Sequence, residues 1–336
     1  MVRALAGAGL LVMTSCGAPD APHQGFAALD GWEAEDHAAA LAEFRRICAE
    51  ARFSGAPLRH WAALCVAAAR AEDPKGFFER HFEPARHDSP GGGLVTAYYE
   101  PVLDGALRPG GGYEVPLYGL PQDLDGRAPY LTRAEIGAGA LAGRGLEIAW
   151  LADPAEAFFL QIQGSGRIRL QDGTERRLGY AGKNGHPYVA IGRLLVEDGE
   201  MELSAVTADA IKDWLRADPV RGAAMMDRNP SYVFFRELPD LPPGAGPIGT
   251  LGMPLTAGRS VAVDPVVHPL GLPVWIAVDT PAGPLRRLWF AADTGGAIKG
   301  PGRADLFLGS GAEAGRAAGA LRARGQVAGL VPRGPG

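Results

Sequence analysis

The amino-acid sequence predicts a mainly β protein that carries helices at its N-terminal end, and therefore the α+β class. Its 48 glycines and 28 prolines favour many tight turns over long helices. Apolar residues recur at helical spacing before Gly91, whereas most apolar runs after Gly93 are short and typical of strands. The length of 336 residues, 47% of them hydrophobic, favours about two domains.

The composition also limits the partners and cofactors of the chain. The net charge of -5 and the lack of basic runs argue against nucleic acid as a partner. No apolar stretch after residue 20 is long enough to span a bilayer. The seven histidines show no metal-ligand spacing, so we predict no metal and no other cofactor.

The first residues have the pattern of an export signal. Arg3 precedes a short apolar segment that ends in Met13-Thr14-Ser15-Cys16, which predicts a lipoprotein signal peptide over residues 1–15 and acylation of Cys16. An ordinary signal peptide is the alternative, and both place the mature chain outside the cytoplasm. Gly17 favours the outer membrane by resemblance to bacterial sorting rules. We therefore expect a periplasmic protein, anchored to that membrane by a flexible tether over residues 16–30.

Three segments that follow have the periodicity of amphipathic helices. Residues 36–51 and 58–71 each bring apolar side chains to one face, including Cys48 and Cys65. A third helix begins after Asp73, an N-cap residue that is followed by proline. In an oxidising compartment Cys48 and Cys65 either form a disulfide or remain as two buried thiols.

The rest of the chain reads mainly as strands and turns. Strands are predicted at 94–101, 158–163, 167–170, 232–235, 259–264, 273–279 and 286–292, and helices near 187–197 and 207–217. The second and third of these strands flank Gly164-Ser165-Gly166 and are interpreted as a hairpin. Residues 238–247 are rich in proline and glycine and are interpreted as a domain boundary.

Two aspartates are the candidate catalytic residues. Leu288–Ala292 is a buried strand by its apolar character and places Asp293 at its end, while Asp305 follows twelve positions later in a glycine-rich loop. Paired carboxylates at a strand end and in a loop are suited to acid/base chemistry in a cleft. The alternative is that Asp293 only caps the turn and Asp305 is solvated.

Polar and aromatic residues elsewhere are candidates for binding a polysaccharide. Tyr98 and Tyr99 are consecutive in a strand, so one ring is expected in the core and the other is free to hold a sugar. Gln161 and Gln163 share one face of the predicted hairpin, where their amides suit sugar hydroxyl and acetamido groups. A solvated hairpin face is the alternative.

A further candidate is a predicted loop over residues 180–188. It places hydrogen-bond donors and two tyrosines directly before a predicted helix. Loops of this kind carry binding residues more often than they carry the core.

Five motifs occur in the order of one known family. They are Thr96–Pro101 (TAYYEP), Gln161–Gly166 (QIQGSG), Tyr180–Gly185 (YAGKNG), Asn229–Phe235 (NPSYVFF) and Asp293–Gly300 (DTGGAIKG). Over roughly residues 90–312 the chain resembles the membrane-bound lytic murein transglycosylase A family, which has a C-terminal 3D domain.

The resemblance implies a fold in two parts. Residues 31–101 and 238–330 would form a double-psi β-barrel with a helical cap. Residues 102–237 would form a smaller inserted β domain, with a glycan groove between the two.

The resemblance also implies a lyase that acts on peptidoglycan glycan strands. It would cleave the β-1,4 bond between N-acetylmuramic acid and N-acetylglucosamine and leave a 1,6-anhydro end, with Asp305 as the single acid/base and Asp293 beside it. The substrate-binding residues that it implies are Thr96, Tyr98, Tyr99, Gln161, Gln163, Gly164, Ser165, Tyr180, Lys183, Asn184, Gly185 and Tyr188. A hydrolytic muramidase and a non-catalytic wall-binding module are the alternatives, and any partner in the machinery of cell-wall synthesis or division is left open.

Overall fold

A computed structural model describes residues 25–53, 61–86, 91–126, 129–238, 241–242 and 244–334. The predicted signal peptide, Cys16 and the tether up to residue 24 lie outside these ranges. Within them, every helix is too short or too polar to cross a lipid bilayer.

The described chain begins with helices and continues with runs of strands and helices. The strands are β1 (Phe82–Arg86), β2 (Gly93–Glu100), β3 (Val102–Ala106), β4 (Val115–Tyr118), β5 (Glu147–Leu151), β6 (Gly166–Arg169), β7 (Glu175–Lys183), β8 (Val233–Glu237), β9 (Ser260–Val263), β10 (Pro273–Thr280), β11 (Gly283–Asp293), β12 (Arg303–Ser310) and β13 (Arg322–Pro332). The helices are α1 (His37–Glu50), α2 (Trp61–Arg70), α3 (Pro74–His81), α4 (Arg133–Gly137), α5 (Pro154–Gln163), α6 (Ile191–Glu197), α7 (Ala208–Ala217), α8 (Pro219–Asp227) and α9 (Gly311–Ala320).

Six strands close into a barrel. Their order is β13-β10-β11-β9-β12-β2, and β2 pairs with β13 to complete the circle, while β1 adds to the outer edge of β13. The pairs β11–β9 and β12–β2 are parallel, and the other pairs are antiparallel. Apolar side chains such as Val261, Ile276 and Leu306 fill the interior. The predicted α+β class, with a barrel and a second β unit, is confirmed.

Helices α1 to α3 cover one outer wall of the barrel. Phe44 of α1 packs on Phe77 of α3 and on Phe290 of β11, with ring centroids 5.6 and 6.1 Å apart. Asp73 caps α3 by accepting a hydrogen bond from the Gly76 backbone, as the sequence predicts. Of the two states left open for the cysteines, the structure has the disulfide, which joins α1 to α2.

The end of the predicted tether is packed in the structure. Leu29 is buried in the core under the helices, and Asp30 forms an ion pair with Arg286 of β11. The prediction of a flexible tether is therefore wrong for residues 26–30, because an apolar side chain and a charge partner fix this segment to the barrel.

The segment between β2 and β8 forms a second sheet with helices around it, which we call the insert. Its strand order is β4-β5-β3-β6-β7-β8. Helices α4 to α8 accompany the sheet, so the insert is an α+β unit and not a β domain alone. The predicted helix at 207–217 is present, and the one near 187–197 begins at Ile191.

The predicted strand at 158–163 is wrong, because these residues belong to helix α5. Asp153 accepts a hydrogen bond from Ala155 N as the N-cap, Pro154 opens the first turn, and Gly164 ends the helix at φ +75°. These are strong helix boundary signals. The apolar run Phe158–Leu160 reads equally well as a strand when the boundary signals are overlooked.

Candidate active site

The two aspartates lie on the outer wall of the barrel, with Asp293 at the end of β11 and Asp305 on β12, on either side of β9. Strands β2 and β12 run side by side. In their parallel register Thr96 pairs with Asp305 and Tyr98 with Phe307. Side chains alternate along a strand, so Val95, Ala304 and Leu306 point into the barrel while these four residues point outward. Asp305 therefore lies on a strand and not in a loop, which corrects the sequence-based expectation.

Asp293 ends β11, as the sequence predicts, and is held by several donors. Tyr98 Oη donates to Asp293 Oδ2 at 2.8 Å, and Thr250 donates to Oδ1 from both its backbone nitrogen and its hydroxyl, at 3.0 and 2.9 Å. Burial raises the pKa of Asp293, and these hydrogen bonds partly oppose the rise. Burial and the nearby Asp293 charge keep the pKa of Tyr98 well above its ordinary value, so its phenol remains a donor.

Asp305 has fewer donors than Asp293. Thr96 Oγ1 donates to Asp305 Oδ1. Burial raises the pKa of Asp305 and the Asp293 charge adds to the rise, whereas the Thr96 hydrogen bond and the Arg303 charge oppose it. A carboxyl with a raised pKa beside a second carboxylate that accepts several hydrogen bonds is an arrangement suited to a general acid.

The glycine-rich segment between the aspartates is anchored by residues that the sequence did not single out. Asp264 Oδ2 accepts a hydrogen bond from Gly300 N at 2.8 Å, and His268 Nε2 lies 2.9 Å from Pro301 O. Thr250 and Arg303 were also missed. Their partners are fixed by tertiary contacts, and each looks like an ordinary loop or strand residue in the sequence.

Tyr98 and Tyr99 face opposite sides of β2, as predicted, but both rings are partly buried. Tyr98 serves Asp293, and its ring packs on Phe307 with centroids 5.4 Å apart. The Tyr99 ring lies against Gly315 of α9, where a Cβ would come within 2.8 Å of it. Neither ring is an open platform for a sugar.

Two of the predicted binding amides form hydrogen bonds within the protein instead of facing a ligand. Gln161 is buried and accepts a hydrogen bond from Arg133 Nη2 at 2.6 Å. Asn184 is also buried; it donates to the backbone oxygens of Leu131 and Pro230 and accepts from Tyr232 N. The expectation that Gln161 and Gln163 share a face is wrong, because they are two positions apart in a helix and point in different directions.

Gln163 connects the insert to the barrel. Its Oε1 accepts a hydrogen bond from Tyr99 N at 3.2 Å. Gly164 and Ser165 follow it at the end of α5 and are partly exposed. The junction is fixed further by Arg167 of β6, whose Nε lies 2.8 Å from Oε2 of the fully buried Glu100.

The segment from Tyr180 to Tyr188 is the most exposed of the predicted binding regions. Tyr180 to Lys183 belong to strand β7, which corrects the prediction of a continuous loop. Tyr180 is 51% exposed and Tyr188 is 48% exposed, and Lys183 and Gly185 are exposed as well. Buried Asn184 holds this segment in place, so the exposed side chains are presented from a fixed backbone.

A cavity of about 630 Å³ also lies where the barrel, α1 and the insert meet. Phe307, Leu255 and Arg167 are among the residues that line it, and neither aspartate does. We place the candidate site at Asp293 and Asp305, whose pKa values are raised, and not in this cavity, which neither carboxylate lines.

The fold and the site define a class of β-barrel proteins that carry an inserted domain and a pair of aspartates on the barrel wall. The family model described as the MltA specific insert domain matches residues 94–236, and that of the 3D domain matches residues 259–331. The chain belongs to the membrane-bound lytic murein transglycosylase A family.

Individual relatives agree with this assignment. The membrane-bound lytic murein transglycosylase A of Vibrio cholerae serotype O1 is 38% identical over 250 residues, which cover 71% of this chain and 66% of that protein. The crystal structure of MltA from Neisseria gonorrhoeae in its monoclinic form is 35% identical, with a TM-score of 0.80 over 96% of both chains. The structure of Escherichia coli MltA with bound chitohexaose is 28% identical, with a TM-score of 0.71 over 89% of this chain and 90% of that one.

Proposed function

We propose that this protein is a peptidoglycan lytic transglycosylase with Asp305 as its single acid/base. The observation that carries the proposal is the asymmetry of the two aspartates. Burial raises the pKa of both carboxyls, but Asp305 accepts one hydrogen bond, from Thr96, whereas Asp293 accepts three, from Tyr98 and Thr250. Relatives named lytic murein transglycosylase and a relative crystallised with chitohexaose support a glycan substrate.

In the proposed reaction one carboxyl performs both proton transfers. Asp305 protonates the glycosidic oxygen as the bond from that oxygen to C1 of N-acetylmuramic acid breaks. The C6 hydroxyl oxygen of the same sugar then bonds to C1, and its proton returns to Asp305. The product is a 1,6-anhydro end, and no water is consumed.

Asp293 is proposed to position the site through its charge and its hydrogen bonds. A hydrolytic muramidase would need a second carboxylate that is free to attack C1 or to activate water. Both oxygens of Asp293 accept hydrogen bonds, which disfavours that role. A wall-binding module without activity would have no use for a carboxyl with a raised pKa in this place.

The glycan is proposed to lie in a groove between the barrel (residues 31–101 and 238–330) and the insert (residues 102–237). Tyr180, Tyr188 and Lys183 are the side chains best exposed to meet it. Thr96, Tyr98, Tyr99, Gln163, Gly164, Ser165 and Gly185 would shape the groove. We further propose a periplasmic lipoprotein anchored to the outer membrane through Cys16, in accord with relatives that are named membrane-bound.

Mass spectrometry of the products from purified peptidoglycan tests the reaction. Wild type should release disaccharide fragments one water lighter than the products of hydrolysis, and Asp305→Asn should release none. Asp279→Asn is a matched control, since Asp279 is an exposed aspartate of β10 whose side chain contacts Arg286. Fragments that contain the added water would refute the proposal in favour of a muramidase. A folded wild type without products would favour a binding module.

A further inference from the structure

Arg303 lies next to Asp305 and is charged. It opens strand β12, and its guanidinium is partly buried beside Asp305. Nη1 donates to the backbone oxygens of Ala304 at 2.6 Å and Leu94 at 3.4 Å. Nη2 donates to Thr96 Oγ1 at 2.8 Å. Backbone contacts thus fix the guanidinium while one nitrogen is directed at Thr96.

The direction of these hydrogen bonds follows from the chemistry of the groups. A guanidinium can only donate, so Thr96 Oγ1 accepts from Arg303. The single O–H of Thr96 then donates to Asp305 Oδ1. In the described part of the chain, Thr96 Oγ1 has these two side-chain partners, one on each side.

We propose that Arg303 is a positioning residue that makes Thr96 donate to Asp305 Oδ1 and so leaves the transferable proton on Oδ2. The proposal rests on the proposed function only for the use of that proton. A proton on Oδ1 would require the Thr96 O–H to turn away to another acceptor. The Oδ2 atom is therefore the one that would face the glycosidic oxygen.

The charged groups around Asp305 determine how its protonation responds to a substitution of Arg303. Asp293 lies beside it from β11, and Tyr98 faces it from β2 as a neutral phenol. Arg322 of β13 repels Arg303. Among the described residues, the Arg303 charge lowers the pKa of Asp305. Removing it takes away a positive charge and frees the Thr96 hydroxyl, and both effects favour the protonated carboxyl.

The test is a carbon NMR titration of the Asp305 carboxyl in the full chain, combined with the pH dependence of product release. Arg303→Ala should move the Asp305 titration to higher pH by about one pH unit. Arg303→Lys, which keeps the charge and one donor, should move it less. Arg324→Ala is the matched control, because Arg324 is an exposed arginine of β13 that donates to a backbone oxygen of Gly92; it should leave the titration unchanged.

A double-mutant cycle decides whether Arg303 acts through Thr96. In a Thr96→Val background the Arg303→Ala change should move the titration by less than half as much as in wild type. An equal or larger movement, or no movement in either background, would overturn the proposal. If Arg303→Ala does not fold, Arg303→Lys takes its place in this cycle. Because the titration needs no substrate, a wild type without anhydro products would refute the proposed function and leave this test intact.

Discussion

In the barrel, Asp293 of β11 and Asp305 of β12 lie on either side of β9 on an outer wall, and Asp305 accepts fewer hydrogen bonds than Asp293 does. In the insert, Gln161 and Asn184 are equally polar, yet both are buried and satisfied by the fold. Polar residues in family motifs thus have two different tasks. Those of the barrel are proposed to take part in the chemistry, and those of the insert hold segments that present other side chains.

Substitution of the two aspartates tests this contrast between barrel and insert, and the largest loss of activity is expected there. Asp305→Asn should lower kcat/KM by about a thousand-fold or more, because the general acid is lost. Asp293→Asn should cost less, about ten- to a hundred-fold, because it removes a charge and one acceptor oxygen but leaves Asp305 in place as the acid. Product release from purified peptidoglycan measures both. Equal losses would mean that the two aspartates share the chemistry.

The amides of the insert should affect stability and not chemistry. Asn184→Ala and Gln161→Ala each leave buried partners without a hydrogen bond, so the free energy of unfolding should fall by about 1–3 kcal/mol. Urea unfolding measures this change, and Lys183→Ala, on an exposed neighbour, should stay within about 0.5 kcal/mol of wild type. If Gln161→Ala weakens glycan binding at unchanged stability, the contrast between barrel and insert fails.

The pH dependence of the free energy of unfolding tests whether the pKa of Asp305 is raised in the folded state. Burial raises its folded pKa above the ordinary value, so the folded state binds a proton more tightly than the unfolded state does. Its contribution to stability is then greatest at low pH and declines as the pH rises from about 4 through the raised folded pKa. Urea unfolding at a series of pH values should show a smaller decline for Asp305→Asn than for wild type. An unchanged decline would assign the effect to other groups, with Asp279→Asn as the reference.

The smallest effect is expected at the exposed tyrosines. Tyr188→Ala should weaken the binding of a chitin oligosaccharide to the Asp305→Asn variant by about five-fold, through loss of one aromatic contact. Isothermal titration calorimetry is the measurement. Leu203→Ala, on a side chain that is 77% exposed elsewhere in the insert, is the control. Unchanged affinity for Tyr188→Ala would move the glycan away from this segment.

The sequence predicts those features that depend on local pattern. The apolar strand that ends at Asp293 and the Asp73 cap of α3 have clear signals and are present. Helix α5 was missed because its apolar run and Gln-Ile-Gln end also suit a strand, and its capping signals at Asp153 and Gly164 decide the matter.

The surroundings of the two aspartates depend on contacts between distant parts of the chain. Thr250 reaches Asp293 from 43 positions away, and Arg303 reaches Thr96 from 207 positions away. No local pattern encodes such partners. For the same reason, an amide that binds a loop and an amide that binds a sugar look alike in the sequence.

The buried pair of Glu100 and Arg167 has a consequence for movement between barrel and insert. One Glu100 oxygen accepts from Arg167 of the insert and from Ser310 at the end of β12. Pulling the two parts straight apart would break the ion pair of the buried Glu100 carboxylate, which is more costly than breaking a surface pair. A rotation of the insert about this point would keep the pair, whereas a straight separation would break it.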